Sequence, residues 1–312
     1  MLVSAVLAVV FLAACGGAVP VAQPLPGTPA TTTETSPVGP VTSAPPTTAA
    51  GCGDWSCAQQ HRFDDATAYV ARTVGPHGFL GVEMLDRTTG AVWHDGATTR
   101  AGWTASTIKL AIAADLLTRA RSGAVTLTAA DRHDMDTMLN FSDEAASDRL
   151  WKRFGDDAML ARFRSTFGMR GLAFVPGFTA STYWGFVKCT TDDLLALGRW
   201  VLTRANADDR AYLVAALRGV AGNQQWGVWA AGADQHPGNK DGWSFESDSW
   251  GKHWVADTVG FAGPGERYVV AVTYQVDPAG SLADGVHAVS DVVAILFGRP
   301  VPAPVTVPAP DG

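Results

Sequence analysis

The sequence predicts an α+β domain. One antiparallel sheet is assembled from strands at both ends of the domain, and a mostly helical segment fills the middle. Three observations carry this. An early strand, Gly78 to Asp86, is followed by turn residues Arg87-Thr-Thr-Gly90 and a return strand, Ala91 to His94. Two late β-rich runs, Trp254 to Gly260 and Tyr268 to Tyr274, flank Ala262-Gly-Pro-Gly265 and read as a hairpin. Between them the apolar spacing is helical. Strands at the ends with helices in the middle suit a layered α+β domain.

Taken in order, Phe63 to Val74 is amphipathic and reads as a helix preceding the first strand. Thr107 to Arg121 is helical and largely apolar, which marks it as buried. Further helices fit Ala145 to Phe154, Ala158 to Phe167, Thr191 to Ala205 and Asp208 to Val220. A last one fits Ala283 to Phe297, after the late hairpin. Asp131-Arg-His-Asp-Met-Asp136 reads as a solvated helix start rather than a metal site.

The chain has 312 residues, 47% of them hydrophobic, enough for one large core. The net charge is −7 and there is no Lys/Arg run, which argues against a nucleic-acid partner. No HExxH and no paired Cys/His spacing is present, so neither a metal nor a cofactor is expected.

The N-terminus is built differently. Leu2 to Ala14 is almost wholly apolar and too short to span a bilayer, so residues 1–14 read as a signal peptide. It ends in Leu12-Ala13-Ala14-Cys15, which resembles a bacterial lipobox, with Cys15 the lipidated (palmitate-type) residue and the membrane reached through that anchor. An ordinary secretory signal with an incidental Cys is the plainer alternative. Residues 15–51 are rich in Pro and Thr, lack aromatic residues, and cannot bury enough surface to fold, so they read as a tether. The domain is expected over residues 52–299, and the Pro-rich segment 300–312 is expected to be disordered. Export places Cys52, Cys57 and Cys189 in an oxidising compartment, where one disulfide forms and one thiol is left over; the spacing does not choose the pair.

Three motifs carry chemistry. Ser106-Thr-Ile-Lys109 opens the apolar helix, so Ser106 and Lys109 share a face one turn apart. An amine desolvated against a hydroxyl can act as its base. The plain reading is a Ser N-cap followed by a surface Lys, but among Ile108, Leu110, Ala111 and Ile112 a purely solvated Lys is less expected. Ser142-Asp143-Glu144 supplies a second hydroxyl and a helix cap at Asp143. Lys240-Asp241-Gly242-Trp243 pairs a cation with a Gly that lets backbone approach closely. Each of the last two alone reads as a cap or a turn.

In this order the three motifs resemble the signature set of serine β-lactamases and penicillin-binding proteins. The resemblance extends to Glu83–Gly90, Phe154–Phe163, Thr190–Leu194 and Val255–Tyr274. It covers roughly Gly78 to Phe297, and is strongest to class A β-lactamases and a group of actinobacterial lipoproteins. It implies that Ser106 attacks a carbonyl, Lys109 activates it, Ser142 shuttles a proton, and Lys240 tunes Ser142. The backbone N–H groups of Ser106 and Trp243 would form the oxyanion hole. Glu144, Asp241 and Gly242 would contact substrate. This arrangement calls for the Ser106 hydroxyl within hydrogen-bond reach of Lys109 and Ser142.

Three positions depart from that family. Glu144 stands where the family has Asn, and Asp241 where it has Thr or Ser. Phe174 to Cys189, where class A enzymes keep a deacylating Glu, contains no acid. The resemblance therefore implies slow deacylation. The expected function is an exported serine hydrolase or acyltransferase, acting on a β-lactam or a cell-wall peptide or ester at the outer face of the cytoplasmic membrane. The alternative is a binding lipoprotein that has lost turnover. Trp226, Trp229, Trp243, Trp250 and Trp254, with Trp103, are either core or the lining of an aromatic cleft.

Overall fold

The computed structural model describes residues 53–179 and 183–310. They belong to one unit, Thr48–Gly312. The expected signal peptide and tether, with Cys15, and Cys52 lie outside the described residues. Helix α1 (Cys57–Thr73) is capped by Ser56, whose hydroxyl accepts from the Gln59 amide at 3.2 Å. Phe63, Ala66 and Val70 form its buried stripe. Strands β1 (Phe79–Asp86), β2 (Val92–Gly96) and β3 (Gly102–Trp103) follow, then a 3₁₀ turn over Ala105–Thr107 and α2 (Ile108–Arg121). The helical middle continues with α3 (Ala129–Asn140), α4 (Glu144–Phe154) and α5 (Met159–Arg162). The α5 helix widens into a π turn over Phe163–Phe167, where a longer regular helix was expected. Strands β4 (Ala173–Phe174) and β5 (Val187–Cys189) precede α6 (Thr191–Thr203) and α7 (Ala207–Arg218). The chain closes through β6 (Gly238–Asp248), β7 (Gly251–Ala262), β8 (Tyr268–Gln275) and α8 (Leu282–Leu296).

The main sheet is antiparallel with strand order β2-β1-β8-β7-β6, so strands from both ends of the domain share it. Its two faces feed two cores, as a period of two requires. Val270, Val272 and Tyr274 pack with α1 and α8, whereas Val269 and Ala271 pack with the helical middle. The α2 helix runs through that second core, with Ile108 to Leu117 buried without a break.

Three parts of the chain differ from the sequence expectation. The acidic segment after Thr128 is a complete helix, α3, nucleated by a capping box between Thr128 and Asp131. Lys240 to Trp243, which alone reads as a turn, lie within the eleven-residue edge strand β6, paired along its length with β7. The Pro-rich segment after residue 300 is not disordered through residue 310. Ala303 is buried and its amide donates to Asp291 Oδ1 at 2.6 Å, while Val305 and Val307 pack on the α1–α8 core. Alternate apolar residues in an extended chain bury one side of it, which Pro content alone does not reveal.

Candidate active site

Three elements bring the motifs together. The 3₁₀ turn holding Ser106 is anchored from behind. The Trp103 amide donates to Gln275 Oε1 at 3.1 Å, and the Gln275 side-chain amide donates back to the Trp103 carbonyl at 3.3 Å. Ala105, just before Ser106, sits at φ 41° and Ser142 at φ 59°. Left-handed backbone at non-glycine residues costs energy and clusters where function needs it. Asp143 caps α4 by accepting from the Ala146 amide at 2.6 Å, which fixes Ser142 and Glu144 on either side of it. The β6 edge delivers Lys240 from the opposite wall.

Gly242 shows why this strand carries a glycine. A Cβ there would lie 2.6 Å from the Ser106 nitrogen and 2.8 Å from that of Thr107. The β6 backbone therefore lies directly against the Ser106 turn, the close approach that only glycine permits.

The two lysines meet at Ser142. Lys109 Nζ donates to the Ser142 carbonyl at 2.7 Å, to Ser142 Oγ at 3.1 Å and to Glu144 Oε1 at 2.6 Å. Lys240 Nζ donates to Ser142 Oγ at 3.0 Å, to Gln224 Oε1 at 3.1 Å and to the Asp241 carbonyl at 2.6 Å. Both side chains are fully buried. Burial pulls Lys109 below the ordinary lysine value, opposed by the Glu144 carboxylate. Burial and the facing Lys109 charge push Lys240 well below it. A hydroxyl has two lone pairs, and on Ser142 each accepts an N–H from one of the two lysine amines. Its own proton is thereby directed elsewhere, and Ser142 lines the cleft.

Ser106 Oγ is not where the expectation had it. Its side-chain hydrogen bond runs to Glu144 Oε1 at 3.5 Å, and among the described residues none joins it to Lys109 or Ser142. The other Glu144 oxygen accepts from the Tyr183 hydroxyl at 3.1 Å. Burial, then the Glu144 charge, pushes the Tyr183 phenol up, so it stays a donor. Trp184 beside it donates to Asp148 Oδ1 at 2.8 Å and presents its ring face 4.7 Å from Lys109 Nζ. Tyr183 and Trp184 thus occupy the loop that lacks an acid.

Asp241 is a correction. It does not line the cleft; it is fully buried and accepts from Thr258 Oγ1 at 2.6 Å on β7. Strand alternation explains this, since Lys240 and Gly242 share one face and Asp241 takes the other. Burial pushes its carboxyl from 3.8 up to about 8, opposed by its contacts with Thr258 and Asn239. A carboxyl with a raised folded value holds its proton more tightly when folded. Its contribution is full below the unfolded value of 3.8 and is lost as pH rises through about 8. Asp241→Asn is expected to raise Tm at pH 8.5 by ~2–4 °C relative to the wild type, from relief of about 1 kcal/mol. At pH 4 the two proteins should melt together. Equal shifts at both pH values would refute the assignment. Glu83, beside Asp192, and Asp257 are raised in the same direction and remain in the variant.

The cleft has a volume of about 560 Å³ and is lined by Ser106, Ser142, Glu144, Tyr183, Trp184 and Trp243, among others. The tryptophans divide. Trp226 is core, Trp254 packs against Phe245, Trp250 lies on His253, and Trp243 faces the cleft. The Trp243 indole donates to the Ala309 carbonyl at 3.0 Å, which brings Pro310 to the cleft rim. Cys57 is disulfide-bonded; Cys189 is a free, buried thiol that burial pushes up and makes unreactive.

No protein-family model matches the chain. Solved structures share its architecture. An ancestral class A β-lactamase superposes with TM-score 0.60 at 18% identity, over 76% of this chain and 99% of that one. A β-lactamase from Burkholderia vietnamiensis gives 0.61 at 20%, over 76% and 95%. One from Xanthomonas campestris pv. campestris gives 0.60 at 20%, over 77% and 98%. At these identities the likeness shows the fold. The sequence relatives are mycobacterial. "Putative lipoprotein LppW" of Mycobacterium tuberculosis, and the same protein in Mycobacterium bovis, are 30% identical over 233 residues, spanning 71% of this chain and 69% of the relative. The chain belongs to the LppW lipoprotein family, and its domain has the class A serine β-lactamase fold.

Proposed function

We propose that this lipoprotein is a serine acyl hydrolase or acyltransferase of the cell envelope, with Ser106 as nucleophile. Anchored through Cys15, it works at the outer face of the cytoplasmic membrane. The observation that carries the reading is the Ser142 hydroxyl held between the two buried lysine amines at the wall of the cleft that contains Ser106. A hydroxyl with both lone pairs occupied is set to give its proton to a departing group. The backbone N–H groups of Ser106 and Trp243 receive the oxyanion, a contribution of ~10²–10³ in rate per donor. Lys240 polarises Ser142.

The charge of the cleft narrows the substrate. Asp143, Glu144 and Glu246 line it, and among the described residues no Lys or Arg does. Lys109 and Lys240 are spent on Ser142. An uncharged or cationic acyl group, such as a cell-wall peptide amide or ester, fits this field; the carboxylate of a penicillin does not.

The test is intact mass after incubation with a fluorophosphonate and with a fluorescent penicillin, against Ser106→Ala. The expected result is a fluorophosphonate adduct on the wild type alone, with far slower penicillin labelling. Absence of any Ser106 adduct overturns the enzyme reading in favour of a binding lipoprotein. The saturated coordination of both lysines is the observation on that side.

A further inference from the structure

We propose that Glu144, not Lys109, is the general base for Ser106. The assignment rests on Ser106 being the nucleophile. It begins with a proton inventory. An ammonium has three N–H donors, and Lys109 has three acceptors: the Ser142 carbonyl, Ser142 Oγ and Glu144 Oε1. The carboxylate at 2.6 Å holds the proton on the nitrogen that a base would have to shed. Among the described residues no hydrogen bond joins Lys109 to Ser106. The group whose free lone pair does face Ser106 Oγ is Glu144 Oε1, at 3.5 Å. Apo catalytic contacts of this kind are commonly long and tighten with substrate.

The rest of the site is built around that carboxylate. Tyr183 holds its second oxygen, Asp143 caps the helix that Glu144 begins, and Lys109 fixes the first oxygen. Glu144 is 57% exposed in its side chain, so it reaches the substrate and the water that must follow. The loop of residues 174–189 offers Tyr183 and Trp184 and no acid. A carboxylate from the second motif therefore stands in for one the loop lacks.

The protons balance through a closed relay. As Ser106 Oγ bonds to the acyl carbon, its proton passes to Glu144 Oε1. The bond from that carbon to the leaving group breaks, and the leaving atom takes the Ser142 proton. Lys109, which touches both, gives a proton to Ser142 and takes the one on Glu144. In the second half, water gives a proton to Glu144 while its oxygen bonds to the acyl carbon. Ser106 Oγ departs and takes that proton back, releasing the acid. Deacylation thus has a base of its own.

The experiment is the rate of fluorophosphonate capture at Ser106 as a function of pH, for the wild type, Glu144→Gln, Glu144→Asp and Tyr183→Phe. Fluoride leaves without a proton donor, so the rate reads the base alone. Glu144→Gln is expected to slow capture by ~10²–10⁴ and to abolish the fall in rate toward acid pH. Glu144→Asp should recover part of the rate and keep that acid limb, which a purely structural role would not. Tyr183→Phe, a positioning change, should cost less than Glu144→Gln. Circular dichroism and Tm of each variant separate loss of base from loss of fold. Capture by Glu144→Gln at the wild-type rate with an unchanged pH profile overturns the assignment and returns the role to Lys109. Absence of capture in the wild type defeats the Ser106 reading itself, and this one with it.

Discussion

Gly242→Ala is expected to slow labelling of Ser106 by ~10²-fold or more while the domain still folds. The added methyl would meet the Ser106 and Thr107 nitrogens at 2.6 and 2.8 Å and Ala105 Cβ at 3.1 Å. Two of these are backbone atoms of a turn already strained at Ala105, so the turn has little room to yield. The edge strand moves instead, because only one of its sides is hydrogen-bonded to the sheet. Lys240, two residues earlier on the same face, moves with it and loosens its grip on Ser142. Overpacking of this kind costs ~1–3 kcal/mol, read as a lower Tm. Gly222→Ala is the control, since a Cβ there meets nothing within 4 Å. It should label and melt like the wild type. Wild-type labelling by Gly242→Ala would show that the strand and the turn are not coupled.

The same strand shows what the sequence conceals. The helix that follows Ser106 was legible because a solvated Lys is less expected among Ile, Leu and Ala at helical spacing, and Lys109 is buried. The closing strands β7 and β8 were legible as β-rich runs around a Gly-Pro-Gly turn. The β6 strand was not, because Gly238-Asn-Lys-Asp-Gly242 is composed of turn residues. Their burial becomes tolerable only through distant partners: Gln224 and Ser142 for Lys240, Thr258 for Asp241. The resemblance placed Asp241 in the cleft, and alternation along the strand turns it to the other face. The α3 helix had a legible signal that composition obscured, the Thr128–Asp131 capping box. The contacts of Glu144 had none. Its position after Ser142 and Asp143 was plain, but the choice between Lys109 and solvent is a rotamer, fixed by Tyr183 thirty-nine residues away.

Ser142→Ala is expected to damage stability and chemistry together. The hydroxyl is the acceptor shared by Lys109 at 3.1 Å and Lys240 at 3.0 Å. Without it, two fully buried lysine amines face each other across a methyl, each one acceptor short. An unsatisfied buried donor costs ~1–3 kcal/mol, more when charged, so the pair should lose about 2–5 kcal/mol in urea unfolding. The loss should be greatest at low pH, where both lysines are held charged. It should shrink as pH rises, because burial and the Lys109 charge already pull Lys240 well below its ordinary value and deprotonation relieves the repulsion. Chemistry should fail selectively. Acylation by an amide or alkyl ester needs a proton on the leaving atom and should fall by ~10²–10⁴. Fluorophosphonate capture needs none and should fall much less, since Glu144 keeps its contact with Ser106. A variant that unfolds at the wild-type urea concentration would mean that the two lysines are not both charged. A variant that loses both reactions equally would mean that Ser142 positions the site and gives no proton.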